Sequence, residues 1–407
     1  MNPGRLFLYD DAVARNWHPF SLTRPAGELL FGTETLRARI ERVFGMACSG
    51  HLAGGGLLGF EEPDAPGCTT LKRTGVTGAR LYLNSRFVPE EGAVPPIDNG
   101  GATLLTAGSA VVGALVPHGV QVPVALLATE EPPAWPEVPL AGEMLHTVWG
   151  LMASSGNRIR SDGARYEGTD VPAGVHVVGS GMVSVAEGAQ VEPGVFLDLS
   201  AGPIIVSGGA RVQAPARIVG PTYVGPDSLV LGGVVAGSAI GPGCRIRGEV
   251  ESSVILGFAN KAHDGFLGHS IAGRWVNLGA MTSNSDLKNT YGVVRLRTGG
   301  GVVDTGLLKV GCFLGDHVRT GIGTLFNTGT VVGAGSHLFG GGMPPRDIPP
   351  FSWGGERELG EYRLDRFLET AARVMARRGV PMNNGMRSLY RRAFSSTAPL
   401  RASTQPS

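Results

Sequence analysis

From about Val206 to Gly342, aliphatic residues return at every sixth position and small residues follow them. Val206, Val212, Ile218, Val224 and Val230 form one run, and Leu314, Thr320, Phe326, Val332 and Leu338 another; Ile240 and Ile246 keep the step after a shift of phase. A period of six matches neither the 3.6 of an amphipathic helix nor the alternation of a half-buried strand. It suits a prism of stacked short strands. Each hexapeptide forms one flat side, its aliphatic residue points inward, and the small residue after it permits a tight corner. The pattern therefore predicts a parallel β-helix over 166–350. A disordered Gly-rich segment would lack the Val/Ile/Leu register.

The rest of the chain reads differently. RLFLY at 5–9 predicts a strand ended by Asp10 and Asp11, and Leu36, Ile40, Val43 and Phe44 predict a helix capped by Thr33 or Thr35. RLYLNSRFVP at 80–89 predicts another strand, and the apolar patches LLTAG, AVVGALV and VPVALLAT at 102–128 predict further β segments. Together these make an α/β domain over 1–140. In the linker, 141–165, Met144, Leu145, Val148, Leu151 and Met152 share a helical face, and SSGNRIRSD leads on into the repeats. Residues 281–306 break the aliphatic register with polar residues and predict a loop protruding from the prism, where function tends to concentrate. Beyond the repeats, Leu364, Phe367, Leu368, Ala371 and Met375 predict a helical tail within 351–395, stopped near Gly379; the small polar residues of 396–407 predict disorder.

Composition narrows the class. The 64 glycines and 28 prolines accompany 42% hydrophobic residues, which fits a turn-dense β protein with a real core. A net charge of +1 provides no broad basic field for nucleic acid. No apolar run approaches the roughly 18 residues of a membrane span, and MNPGRLFLYDD meets acidic residues too early for a secretory signal. A cytoplasmic protein is expected. Cys48, Cys68, Cys244 and Cys312 lack CxxC spacing and read as reduced packing thiols.

Chemistry is densest at 260–292, NKAHDGFLGHSIAGRWVNLGAMTSNSDLKNTYG, where Lys261, His263, Asn277, Asn284, Lys288 and Tyr291 interrupt an aliphatic architecture. A neutral His263 can take a proton from an attacking amine or hydroxyl, while Asn, Lys and Tyr side chains can hold a polyhydroxylated, phosphorylated substrate. Backbone amides at the Gly279–Ala280 corner can polarise a thioester carbonyl. His269 and His317 read more simply as hydrogen-bonding residues between coils. Among His263, His269, His317 and His337 the only close pair is His-x5-His, with no third ligand beside it, so zinc is not expected. Near the N-terminus, RNWHPFSLTRPAGELLFG gathers Arg15 and Arg24, which meet either a phosphate-bearing ligand or carboxylates of their own domain.

Three segments carry a family likeness. KAHDGFLGHS, VNLGAMTSNSDLKNTYG and GDHVRTGIGTLFNTGTVVG resemble the left-handed β-helix acyltransferases, above all the acetyltransferase half of the bacterial bifunctional enzymes that acetylate glucosamine-1-phosphate and uridylate the product. RNWHPFSLTRP and LNSRFVP resemble the short nucleotidyltransferase-like domain of a divergent branch of that family. The resemblance implies an α/β nucleotidyltransferase-like domain, a left-handed parallel β-helix and a helical tail. It implies a homotrimer that acetylates an amino-sugar phosphate with acetyl-CoA as co-substrate and binds a sugar-1-phosphate with UTP or dTTP, ultimately for a nucleotide sugar such as UDP-N-acetylglucosamine. His263 stands at the offset of the family's general base, Asn277 matches a substrate-binding Asn, and Ala280, with Gly279, falls where acetyl-CoA is contacted. Asn284 and Lys288 match the polar loop loosely. Arg15, Arg24 and Asn84 are the implied nucleotide- or phosphate-binding residues. Mg2+ would accompany nucleotidyl transfer, with Asp10, Asp11 and Asp98 as candidate carboxylates.

Departures qualify the likeness. Phe266 stands where a phosphate-binding tyrosine is usual and Ser252 near where a lysine is usual; the G-x-G-T-R signature of full nucleotidyltransferases is missing from the N-terminus. Two further readings therefore stay open. One is a nucleotidyltransferase whose β-helix only trimerises or regulates, and the other is a noncatalytic assembly module.

Overall fold

The computed structural model describes residues 4–75, 77–94, 100–122 and 132–402. Arg5–Tyr9 is the middle of three parallel strands, flanked by Cys48–Leu52 and Arg80–Asn84; Ala110–Val116 and Thr103–Ala107 continue the sheet antiparallel, and Glu137–Pro139 closes its edge. Strand alternation gives this sheet two dry faces. Leu6, Leu8, Leu81 and Leu83 pack with Ile40 and Phe44 on one side, and Phe7, Tyr9 and Tyr82 with Leu104 and Val116 on the other. The helix Leu36–Phe44 is capped by Thr35, whose hydroxyl accepts from the Ala38 amide at 3.1 Å, and it ends at Gly45 with φ 63°. Most of VPVALLAT lies outside the described residues, as does Asp98.

The linker differs from its expected helix. Gly142–Met144 pairs as a strand with Phe87–Pro89, and helices form only at Gly150–Ala153 and Ser155–Gly163. The strand partner captures Met144 before the helical face can form, while SSGNRIRSD, expected as a connection, becomes helical. Buried Asp162 accepts from both Arg39 and the Thr33 amide and hydroxyl, which fastens this helix to the domain.

From His176 to Gly354 the chain winds into a parallel β-helix with three faces. The first carries strands from His176–Val178 to Phe266–Gly268, the second nine strands from Val183–Val185 to Asp347–Ile348, and the third strands from Gln190–Val191 to Ser352–Gly354. The hexapeptide residues all point inward: Val206, Val212, Ile218, Val224, Val230, Leu314, Phe326, Val332 and Leu338 belong to one continuous core. Coils stack so closely that glycine is required where backbones meet. A Cβ on Gly311 would lie 2.0 Å from the Gly268 carbonyl oxygen.

The protruding segment begins later than expected, because Ser283–Asn284 still pairs with Leu325–Phe326. It then forms an antiparallel hairpin, Arg295–Thr298 with Gly301–Asp304, whose Gly299 amide donates to Asn16 at 3.0 Å.

Each remaining surface of the prism finds a different partner. Ile205, Tyr223, Val254, Ile271 and Phe313 on the outside of the second face pack against Trp17, Phe20, Phe31, Leu151 and Ile159, so the α/β domain docks there. The corner between second and third faces places Phe258, Trp275, His317 and Phe351 at positive φ, and Phe258 stacks on Trp275 at 4.3 Å. Helices Leu364–Ala376 and Asn384–Ser396 cover this corner with Phe367, Met375, Leu389 and Tyr390. The tail stays ordered further than its composition suggested: Ala398–Ala402 is helical, and the Arg401 guanidinium lies 4.1 Å from the Phe394 ring centroid. Residues 403–407 lie outside the described residues.

Candidate functional site

The polar cluster at 260–292 is divided by the prism among three places. His263 occupies the corner between the third-face strand Asn260–Lys261 and the first-face strand Phe266–Gly268, and it is exposed. Its imidazole has no hydrogen bond or ion pair among the described residues. One coil on, Gly279, Ala280 and Met281 turn the same corner, and the Met281 amide donates to the Asp264 carbonyl at 2.9 Å. The Gly279 amide is spent on the Thr320 hydroxyl at 2.9 Å, and the Ala280 carbonyl accepts from Gly323 at 2.8 Å. Of this pair only the Ala280 amide makes no hydrogen bond among the described residues.

Lys261 has a different task from the expected one. It pairs in register with Ile246 and stands between it and Leu278 in the inward column of the third face. Its side chain rises from the core so that Nζ donates to the carbonyls of Arg247 and His263, each at 2.8 Å. Burial lowers its pKa to about 8 against the opposing pull of Asp264. Lys261 braces the corner that carries His263 and has no free reach to a substrate.

On the outer side of the third face Arg245, Asn260, Asn277, Arg319 and His337 stand in one register. Asn260 donates to Asn277 Oδ1 at 3.0 Å, which leaves the Asn277 amide nitrogen free. This ladder forms the floor of a groove of about 720 Å3 whose far wall is the end of the helix Leu364–Ala376.

The third place lies at the other end of the first-face strand. Asn284, expected to touch substrate, is buried and bonds both the amide and the carbonyl of Gly268 at 3.0 Å, closing the coil. Lys288 donates to the Val293 carbonyl. Tyr291 is exposed and sits on the protruding segment. His269, expected to hydrogen-bond between coils, has its Nδ1 2.7 Å from Asp286 Oδ2 on the next coil, giving a carboxylate-oriented imidazole at this corner. The strand Phe266–Gly268 separates it from His263, so the two rings do not share a reacting atom. His317 is fully interior: burial lowers its pKa to about 3, and Nε2 meets the Tyr390 hydroxyl at 2.9 Å.

In the α/β domain, a ligand is expected at the carboxyl ends of the parallel strands. There Asn84 donates to Asp11 Oδ2 at 2.9 Å and Arg86 pairs with the same carboxylate. Burial pushes the Asp11 pKa up, but Arg86 outweighs it and holds it below the ordinary range. Asp10 is buried, which raises its pKa, and accepts from the Ala26 amide at 3.0 Å. Arg24 is buried between Glu62 at 3.0 Å and Asp316 at 2.9 Å, and Arg274 reaches the same Glu62. Asn84 is thus committed to Asp11, and Arg24 to Glu62 of its own domain, as the alternative for the arginines had it, and also to Asp316 of the β-helix. Asp11 is paired with Arg86, Asp10 is buried with its Oδ1 unpartnered, and among the described residues no three His, Cys, Asp or Glu side chains are grouped to hold a metal.

Arg15 remains exposed, its Nε near Gly54 in the run Gly54–Gly56 at the end of the strand Cys48–Leu52. Nothing lies within 4 Å of a Cβ placed on Gly55 or Gly56; the Gly56 carbonyl accepts from Arg392 Nε at 3.3 Å, while the amides of the triplet make no hydrogen bond among the described residues. The glycine triplet begins one residue past that strand, a pattern the sequence reading did not use.

Residues 6–169 match the family model described as sugar nucleotidyl transferase. The bifunctional sugar-1-phosphate nucleotidylyltransferase/acetyltransferase of Sulfurisphaera tokodaii is 33% identical over 100 residues, 25% of this chain and 25% of that protein. An Escherichia coli protein named uncharacterized acetyltransferase YaiX is 25% identical over 182 residues, 42% of this chain and 76% of that one. The bifunctional protein GlmU of Thermobifida fusca is 29% identical over 188 residues, 41% of this chain and 34% of that one. The chain spans about a quarter of the first of these relatives. The nucleotidyl transferase match takes in the α/β domain and linker, and the chain is similar to transferases of both kinds. No helix among the described residues is long and apolar enough to cross a membrane.

Proposed function

We propose that the chain is a sugar-phosphate acetyltransferase whose β-helix performs the transfer and whose α/β domain engages a sugar-1-phosphate and nucleotide. The observation that carries this reading is His263, an exposed imidazole without a partner on a corner that Lys261 braces from within. As general base it takes the proton of the acceptor amine while that nitrogen attacks the thioester carbonyl of acetyl-CoA. The Ala280 amide, turning the same corner one coil on, stabilises the oxyanion, and Asn277 orients the acceptor. Collapse of the tetrahedral intermediate expels the CoA thiolate, which accepts a proton. A homotrimer would supply a second wall for so exposed a corner.

The test is incubation of the purified chain with glucosamine-1-phosphate, acetyl-CoA and either UTP or dTTP, with products identified by mass spectrometry. Acetylated sugar phosphate formed by the wild type and abolished in a folded His263→Ala variant supports the reading; unchanged turnover in that variant removes it.

A second reading rests on the match over residues 6–169. In it the chain is a nucleotidyltransferase only, with Arg15 and the Gly54–Gly56 amides holding phosphate and the β-helix as scaffold. Asp11 is paired with Arg86 and Asp10 is sealed from solvent, so no metal-dependent step is assigned to them. Pyrophosphate release without acetyl-CoA favours this second reading.

A further inference from the structure

The groove above the third face contains four arginines with no carboxylate to answer them. Arg245 and Arg319 rise from the strand ladder, and Arg377 and Arg378 descend from the end of the helix Leu364–Ala376. Arg245 bonds only to the carbonyls of Asp227 and Cys244, at 3.1 and 3.0 Å. Arg319, Arg377 and Arg378 form no side-chain hydrogen bond, and none of the four makes an ion pair among the described residues. Fully buried arginines elsewhere in the chain are answered: Arg24, Arg39 and Arg274 face carboxylates, and Arg80 donates to the carbonyls of Gly75, Pro117 and Val120. Among the described residues the only acid lining the groove is Asp227, which is exposed and unpaired with any of the four.

Such an arrangement is costly without an anion. Arg319, Arg245 and Arg378 are partly buried, and burial holds Arg319 and Arg378 below the ordinary guanidinium range, with Arg377 and Arg245 respectively adding repulsion. Planar guanidinium groups converging on one space are suited to the oxygens of a phosphate group. The free Asn277 amide beside them suits a hydroxyl of the same ligand. We infer that this groove is a binding site for a phosphate-bearing, hydroxyl-rich small molecule, gripped between the β-helix and the C-terminal helix. Asn277 is the one residue the groove shares with the proposed acetyl-transfer site; the four arginines stand outside that site, and the inference rests on them whether or not the chain transfers acetyl groups.

Isothermal titration of the full chain with inorganic pyrophosphate tests it. One pyrophosphate per chain is expected, with at least about tenfold weaker binding in Arg319→Gln/Arg378→Gln and no change in Arg297→Gln, an exposed arginine paired with Asp347 elsewhere. Should the double variant fail to fold, Arg377→Ala, at an exposed position, is expected to weaken binding as well. In His263→Ala the affinity should be unchanged, which separates this site from the acetyl-transfer reading. Displacement of pyrophosphate by glucosamine-1-phosphate, acetyl-CoA or UTP supports the site and identifies the source of its phosphate. No binding to the wild type, equal binding to the arginine variants, or displacement by sulfate as effectively as by all three would overturn the inference.

Discussion

Replacing Lys261 by Met isolates the cost of placing an ammonium in an aliphatic column. Lys261 occupies a slot whose neighbours along the prism are Ile246 and Leu278, and burial brings its pKa from the ordinary 10.5 to about 8. Because the folded value lies below the unfolded one, below pH 8 both states hold the proton and the folded state bears the whole desolvation cost. Between about 8 and 10.5 the folded chain releases the proton while the unfolded chain keeps it, so stability rises with pH; above 10.5 the gain is complete. At ~1.36 kcal/mol per pH unit this amounts to about 3 kcal/mol. Met fills the slot without titrating but leaves the Arg247 and His263 carbonyls uncapped, so the two proteins should differ little at pH 7.

The assay is urea unfolding followed by circular dichroism from pH 7 to 10.5 on both proteins, where the other ionisable groups cancel in the difference. Wild type should gain about 3 kcal/mol on the variant across that range. The chain has only four lysines, Lys72, Lys261, Lys288 and Lys309, so 13C-lysine labelling also permits the midpoint to be read directly by NMR. A stability difference flat with pH, or a Lys261 resonance titrating near 10.5, would refute the burial argument.

Further outcomes follow from the packing. Asp316→Ala removes the acceptor of Thr23 and Arg24 and leaves Arg24 buried with Glu62 alone; a loss of about 3–5 kcal/mol is expected, with faster amide exchange in the 16–31 loop by mass spectrometry. Gly311→Ala drives a methyl into the Gly268 carbonyl and should lower stability by about 1–3 kcal/mol in thermal unfolding, with the α/β domain unaffected in its own exchange pattern. Ile255→Ala opens a cavity in the middle of the prism, with an expected cost of about 2–5 kcal/mol by the same measurement. An isosteric Asp286→Asn should leave acetyl transfer intact if His263 is the base; its loss would move that role to His269, which Asp286 orients.

The prism itself was legible because its determinant is local. A side chain at every sixth residue either enters the core or does not, and the aliphatic choice at Val206 through Val230 records the answer without reference to the rest of the chain. The apolar strand RLFLY and the Thr35-capped helix were readable for the same reason. The fate of polar side chains was not, since it depends on what the fold brings beside them. Arg24 looks equally able to meet a phosphate or an acid until the β-helix presents Asp316, some 292 residues away, at its guanidinium. Lys261 and Asn284 stand within a cluster that suggests substrate, yet stacking turns the first into the core and the second onto the Gly268 backbone. Met144 through Met152 had helical spacing, but a pairing strand at Phe87–Pro89 claimed its start. The arginine groove has no contiguous motif at all, because two of its members come from the ladder and two from a helix that only tertiary packing lays across it. Periodicity specifies which residues are buried within a repeating unit; which charged groups are answered, and which are left facing an empty groove, is decided by long-range contacts.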